Sequence, residues 1–347
     1  MINSQRNDIQ GGGDSVSSEP RDGRVSRTVF EWSETNSFRE IRWPVRDILC
    51  LKQDSGISVT LILPARNVRR TIQPILEQVG YHSSSACRLV DQVLVVDADS
   101  TDGTPEIARS LGAEVWSESE LLPTLGPVLG KGDAMWRSLG KARCDLVLFA
   151  DTDTIGFELD LLCGILGPLL SVPSIQFVKA AYTRPFFIGG QYFPGEGGRV
   201  TELTAKPLFN LFFPELTGFV QPLAGEFGCT RRILEAVPFV TGYGVEAALL
   251  IDILRLVGLP AMAQVYVGSR QNQHQPLHDL SRMSFAVART ILQRAVATGK
   301  ICVDSGFSLV GEDSPSSTYL QAGITRGMVA VSESEEILVE RPALSEL

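Results

Sequence analysis

The sequence predicts an α/β fold, a mostly parallel sheet flanked by helices, and three observations predict it. Short, nearly continuous apolar runs rich in β-branched residues recur along the first half, as expected of strands buried on both faces. Segments of helical period separate these runs, and strand–helix alternation implies a parallel sheet covered on both sides. Polar, acid-bearing turns follow the runs directly, at the strand ends where open α/β sheets bind ligands.

In chain order, residues 1 to 28 are polar and rich in Gly, Ser and charge, a composition that cannot offset ordering entropy by burying apolar surface, so disorder is expected. Residues 29 to 56 carry Trp32 and Trp43 and a weak helical pattern, read as an extension packed on the main domain. Ile57 to Leu63, Asp91 to Val96 and Asp145 to Ala150 are the apolar strands. Between them, helices are expected over Val68 to Val79, Pro105 to Leu111, where proline occupies a permitted first-turn position, and Asp133 to Ala142. Residues 57 to 155 therefore form the half expected to bind a nucleotide.

Beyond Asp153 the alternation loosens. A helix over Leu159 to Leu170, a strand over Ser174 to Thr183 and a glycine-rich stretch, Ile188 to Gly198, come first. Helical periodicity returns at Val200 to Phe213, Arg231 to Ala236, Val245 to Val257 and Leu280 to Ala297, with a strand at Ala261 to Val267. Residues 156 to 302 read as a second, acceptor-binding half continuous with the first. From Val303 the chain is rich in Ser and Glu and reads as a mobile tail.

With 347 residues, 44% of them hydrophobic, the chain can bury a sizeable core. A net charge of −9 argues against gripping nucleic acid, which needs a basic surface. Cys50, Cys87, Cys144, Cys163, Cys229 and Cys302 are too widely spaced for a zinc ribbon or a disulfide framework. The N-terminal residues lack an apolar targeting core and no run reaches the ~18 apolar residues of a membrane span. A cytoplasmic protein is expected.

Asp151-Thr152-Asp153, directly after a strand, is the strongest chemical signal. Carboxylates there can hold a divalent cation whose other positions are filled by substrate phosphates, although two solvated aspartates in a turn look the same. One acid can meet the metal directly and the other through water or a ribose. Asp97 ends another strand and leads into DSTDGT, where Thr101, Asp102 and Gly103 serve as a capping turn and Asp97 or Asp99 is left facing a nucleotide. Pro64-Ala65-Arg66-Asn67 offers backbone groups to a base.

The segment 130–137 (GKGDAMWR) begins a helix with glycines flanking Lys131, suited to a phosphate or a uracil carbonyl. It is not a P-loop, and no GxGxxG follows the first strand, so a dinucleotide-binding domain is disfavoured. Gly198-Arg199-Val200-Thr201 puts one arginine and helix-start N–H groups where a phosphate or carboxylate could sit. Glycine-bordered polar groups recur at 222–226, 242–246 and 270–274, and a neutral His274 would complete a cation site begun by Asp153.

Taken together, VTLILPARN, VLVVDADSTDGT, GKGDAMWRSL, LVLFADTDTI, GGRVTELTAKPL, QPLAGEF, PFVTGYGVEAALLIDILRLVGL and AQVYVGSR resemble, in order, the motifs of glucosyl-3-phosphoglycerate synthases and the related mannosyl-3-phosphoglycerate synthases. The resemblance runs from about residue 57 to residue 297. It implies a GT-A glycosyltransferase fold and a retaining transfer of glucose or mannose from UDP-glucose, GDP-glucose or GDP-mannose to 3-phosphoglycerate, with Mg²⁺, Mn²⁺ or Co²⁺ as cofactor. By position, Pro64, Ala65, Asn67, Ser100, Lys131, Asp151 and Thr152 would contact the nucleotide, and Asp153 the metal. Gly198, Arg199, Val200 and Thr201 would hold the acceptor, with Tyr243 and Glu246 beside the transferred sugar. The chain departs from the family's pattern at Val68 and Arg69, where acids usually follow the asparagine. It departs again at Asn272, where the metal-binding histidine usually stands, so either His274 reaches the metal by a local shift, the reading taken here, or Asn272 substitutes. A homodimer is expected. Alternatives are a transferase with another acceptor, a non-catalytic nucleotide-sugar-binding module, and a nucleotidyltransferase.

Overall fold

The computed structural model describes residues 21–38, 43–81, 88–154, 157–188, 191–193, 197–270, 277–302, 316–325 and 328–347. In chain order its elements are α1 (Arg21–Thr35), β1 (Ser37–Phe38), α2 (Val45–Ser55), β2 (Val59–Ala65), α3 (Arg69–Tyr81), β3 (Gln92–Asp97), α4 (Thr104–Ser110), β4 (Glu114–Ser117), α5 (Lys131–Leu139), β5 (Leu146–Phe149), α6 (Asp160–Ser171) and β6 (Phe177–Thr183). Then follow β7 (Phe186–Ile188), β8 (Gln191–Phe193), α7 (Lys206–Phe212), β9 (Phe227–Thr230), α8 (Arg231–Ala236), β10 (Phe239–Val240), α9 (Val245–Val257), β11 (Met262–Ser269), α10 (Leu277–Ala297), β12 (Ser316–Thr325), β13 (Met328–Ile337) and β14 (Glu340–Arg341).

Eight strands form one sheet in the order β1-β11-β6-β9-β5-β2-β3-β4. All neighbours run parallel except β9, which is antiparallel to both β5 and β6. From β2 the chain builds outward through β3 and β4, then returns to β2's other side with β5. That reversal opens a crevice at the carboxyl ends of β2 and β5. Because β9 runs the opposite way, its first residue lies at the same sheet edge as the last residues of β5 (Phe149 pairs with Phe227).

Two cores explain why the strands carry no polar alternation. Ile62, Val147 and Phe149 face Met135 and Trp136 of α5 and Leu250 of α9 on one side. Leu61, Leu63 and Leu148 face Ile72 and Ile75 of α3 and Leu162 and Ile165 of α6 on the other. Each such aliphatic side chain, fully buried, contributes roughly 1.5–3 kcal/mol. A strand sandwiched this way must be apolar on both faces, as β2 is.

Two expectations change. The segment read as disordered to residue 28 already contains the start of α1, which is pinned by Trp32, 4% exposed, donating Nε1–H to the Met262 carbonyl at 2.7 Å. The segment read as a mobile tail contains the antiparallel β12–β13 hairpin and β14, which pairs with β10. Along β13 an apolar run, Met328 to Val331, is followed by a polar one, Ser332 to Glu336, so no strand period marks it in the sequence. As expected of an acceptor half continuous with the first, β6, β9 and β11 complete the same sheet as β2, β3 and β5. Among the described residues no helix is long and apolar enough to cross a membrane, and the described cysteines are free.

Candidate active site

The crevice is organised by one partly buried lysine. Lys131 opens α5 after Gly130, whose φ of 83° and ψ of −168° suit only glycine. Its ammonium lies 2.8 Å from Asp151 Oδ1, just past β5, and 2.9 Å from Glu246 Oε1, in the first turn of α9. Burial disfavours the ammonium, but the Asp151 and Glu246 carboxylates override it and hold Lys131 well above its ordinary pKa. Burial likewise opposes ionisation of Asp151, and Lys131, with Arg184 and Arg270 beyond it, still keeps that carboxyl below its usual range.

Thr152 is buried and donates its hydroxyl to the Pro64 carbonyl at 2.6 Å, which fastens the β5 tip to the β2 tip. Asp153 is exposed and forms no salt bridge among the described residues. Although the residue reaches solvent, partial desolvation of its carboxyl, and then the adjacent Asp151 charge, raise its pKa. A carboxylate disfavoured by its neighbour is a group in want of a cation. Among the described residues no cluster of three His, Cys, Asp or Glu could hold a metal unaided, and Asn272 and His274 lie outside the described residues.

Within electrostatic reach of Asp151 lie two arginines, Arg184 and Arg270, gathered around Glu226 and Tyr182. Glu226, 1% exposed at the mouth of β9, accepts the Tyr182 hydroxyl at 2.9 Å and Arg270 Nη1–H at 3.2 Å. Arg184 Nη2 donates to the same Tyr182 oxygen at 2.8 Å. Beneath them Lys179 is buried and donates to the Ala224 carbonyl at 2.7 Å; burial brings its pKa down to about 8. The Ala224–Gly225 backbone is thereby pressed against the lysine pair. A Cβ on Gly225 would lie 2.3 Å from Asp151 Oδ1 and 2.6 Å from Lys131 Nζ.

Arg199 and Val200 begin the helical stretch that continues through Thr201–Ala205, after the loop at Gly197 and Gly198. That loop leans on Arg184, since Gly197 N–H donates to the Arg184 carbonyl at 2.9 Å. A Cβ on Gly198, at φ 78°, would stand 3.4 Å from Arg184 Cδ. That loop and the Asp151 tip are thus linked through one arginine. Val200 is half-buried beside it, while the Thr201 side chain is 3% exposed.

On the nucleotide side, Asn67 adopts φ 53° and braces the turn after β3. Its N–H donates to Ser100 Oγ at 2.8 Å and its Oδ1 accepts Thr101 N–H at 2.9 Å. Asp97 Oδ2 accepts Ser100 N–H at 3.0 Å, whereas Asp97 Oδ1 is buried with no partner among the described residues. Such an orphan acceptor calls for a ligand N–H or O–H. Pro64 and Ala65 end β2 beside it. Burial, then Asp99, Asp133 and Asp97, push nearby Glu118 up to about 7.

The structure therefore gathers Lys131, Asp151, Thr152 and Glu246 in one cluster, and it sets Tyr243, 48% exposed, on the Gly242–Gly244 turn against Gly130. Missed by sequence reasoning were Lys179, Tyr182, Arg184 and Gly225. Only QPLAGEF carried a signal, a glycine immediately before a buried acid.

Residues 60–158 match the Glycosyl transferase family 2 model. A glucosyl-3-phosphoglycerate synthase of Petrotoga mobilis is 38% identical over 257 residues, 74% of this chain and 79% of that one. The crystal structure of mannosyl-3-phosphoglycerate synthase from Rubrobacter xylanophilus superposes with a TM-score of 0.82 at 47% identity, covering 92% of this chain and 97% of that one. The glucosyl-3-phosphoglycerate synthase of Mycobacterium tuberculosis, in complex with Mn²⁺, UDP-glucose and phosphoglyceric acid, gives 0.73 at 34% identity, covering 90% and 98%.

Proposed function

The chain belongs to the family of glucosyl- and mannosyl-3-phosphoglycerate synthases, and we propose that it moves glucose or mannose from a nucleoside-diphosphate hexose to 3-phosphoglycerate with retention at the anomeric carbon. One observation carries this reading. The Lys131–Asp151–Glu246 cluster lies within electrostatic reach of Arg184 and Arg270, and the carboxylate of Asp153 within reach of Lys131 and Arg184. Two anions, a diphosphate and an acidic acceptor, need such neighbouring cations.

A divalent cation fits Asp153, because Asp151 is already neutralised by Lys131 and leaves Asp153 the uncompensated acid. Asn272 or His274 is assigned as the second protein ligand, with His274 preferred. Bound there, Mg²⁺, Mn²⁺ or Co²⁺ would supply Lewis-acid neutralisation of the departing diphosphate. Lys131 turns its ammonium toward the same phosphates and Glu246 accepts hydroxyls of the sugar. Asp97, through Oδ1, with Asn67 and Ser100, frames the base and ribose. Arg199, with Gly198, Val200 and Thr201, grips the acceptor phosphate, and Tyr243 flanks the transferred ring. No side chain need form a covalent bond to the sugar, since the acceptor hydroxyl attacks and a diphosphate oxygen takes its proton.

Both substrates are phosphorylated metabolites of the cell interior, which supports a cytoplasmic location. Leu320, Val331 and Ile337 on the hairpin are exposed, apolar surface that a second copy would cover in a homodimer. UDP-glucose, GDP-glucose and GDP-mannose, each incubated with 3-phosphoglycerate and Mg²⁺, test the reading directly. Hexosyl-phosphoglycerate from one of them supports it, and product from none sinks it. Arg199→Ala separates acceptors: the KM for 3-phosphoglycerate should rise about tenfold to a hundredfold while that for glycerate stays put.

A further inference from the structure

The last residues of the chain reach back to the helix that carries Lys131. Arg341 donates Nε–H to Asp133 Oδ1 at 2.8 Å and Nη2–H to Asp133 Oδ2 at 2.9 Å. Asp133 is fully buried in the first turn of α5, and its carboxylate also accepts Leu129 N–H at 3.0 Å and pairs with Arg137 at 3.2 Å. One turn along the same face, Trp136 Nε1–H donates to the Pro342 carbonyl at 2.9 Å.

The same segment fastens the other side of the site. β14 pairs with β10, Arg341 opposite Phe239 and Glu340 opposite Val240. Thr241 and Val339 exchange bonds of 2.9 and 2.8 Å. The chain then runs straight into the Gly242–Gly244 turn and Glu246. A Cβ on Gly132 would stand 2.1 Å from the Val240 carbonyl, so α5 and β10 already touch. Residues 339–342 bind the head of α5 and the approach to α9, the two elements that meet at Lys131 and Glu246.

We propose that Arg341 is a positioning residue for donor transfer, acting through Asp133 to set where Lys131 stands against Asp151 and Glu246. This rests on the reading of Lys131 as the phosphate-facing cation. Asp133 is the lever, because it joins Arg341 to the loop residue Leu129 immediately before Gly130. Without Arg341 a buried carboxylate loses its bidentate partner, and the first turn of α5 is held only by Arg137 and one N–H.

The test is Arg341→Met in the full chain, with kcat and both KM values measured alongside thermal midpoint. Donor kcat/KM should fall about tenfold or more, since a hydrogen bond to a charged group is at stake, while the KM for 3-phosphoglycerate stays within about twofold. Arg341→Lys should recover part of the loss, and Asp133→Asn on top of Arg341→Met should add little. A role in stability alone would lower the midpoint and leave donor kcat/KM per active site unchanged, which would overturn the proposal. Should Arg341→Met fail to fold, Arg341→Lys, which keeps the charge but cannot reproduce the two-pronged contact with Asp133, serves in its place: donor kcat/KM below that of the wild type supports the proposal, and an unchanged value overturns it. Wild-type protein inert toward every nucleotide sugar would strike the transferase reading itself, whereas an active wild type with indifferent variants strikes only this one.

Discussion

Replacing Gly225 by alanine would put a methyl carbon 2.3 Å from Asp151 Oδ1, 2.6 Å from Oδ2 and 2.6 Å from Lys131 Nζ. Real Cβ contacts do not fall below 3.0 Å, so the pair must recede by at least about 0.7 Å. The glycine cannot yield instead, because Lys179 holds the Ala224 carbonyl and Phe227 is paired into the sheet. Lys131 is also tied to Glu246 at 2.9 Å, so the movement falls mainly on Asp151 and opens its 2.8 Å contact. A displacement approaching 1 Å at a substrate-positioning group costs about a hundredfold in rate, and overpacking costs roughly 1–3 kcal/mol of stability. The assay is release of nucleoside diphosphate from the donor in the presence of 3-phosphoglycerate and Mg²⁺, with thermal unfolding in parallel. Gly228→Ala is the control: its Cβ would meet Ile165 and Leu169 of α6 at 2.5 and 2.9 Å, away from the lysine pair. Gly225→Ala should lose kcat out of proportion to stability, and Gly228→Ala stability out of proportion to kcat. Equal kcat per folded molecule in both variants would refute the assignment of the pair to catalysis.

Two further outcomes follow from the carboxylates. Asp153→Asn should reduce turnover below detection and make donor affinity, measured by calorimetry, insensitive to Mg²⁺; chelation of the wild type should do the same reversibly. Glu118 is pushed up to about 7 by burial and by Asp99, Asp133 and Asp97, so the folded chain keeps a proton there that the unfolded chain releases near 4.5. Its contribution to stability is therefore present below pH 4.5 and is lost as pH rises toward 7. Glu118→Gln should match the wild type in thermal midpoint at pH 4.5 and exceed it at pH 8, and a constant difference across that range would contradict the shift.

How much of this was legible depended on whether the forces were local. Strands β2, β3 and β5 announced themselves because burial on both faces leaves no polar alternation, and α8 and α9 match their expected bounds residue for residue. Lys131 and Asp151 stood out singly through residue type at a helix start and a strand end, Glu246 only through the family resemblance, and their meeting as one cluster was not legible. Strand β9 was not, since four residues containing a glycine carry no period. Nor were Tyr182 and Arg184 legible as site residues, because their meaning comes from Glu226, and Tyr182 lies 44 positions from it. The C-terminal strands were hidden for a similar reason: Arg341 is unremarkable until Asp133, 208 residues away, is beside it.

The position of β9 has a consequence for the order of assembly. Both strands that flank it, β5 and β6, precede it in the chain. During synthesis, β6 must wait apart from the β5-β2-β3-β4 half of the sheet, with a slot the width of one ribbon between them, because its other neighbour, β11, is made later still. Ribosomes add roughly 5–20 residues per second, and the slot stays vacant until the chain has grown from Thr183 to Thr230, several seconds at that pace. Two unsatisfied edges face each other meanwhile, each able to accept a foreign strand. The filler is well shaped for late entry: Gly228 has no side chain to catch on α6 as it slides into place.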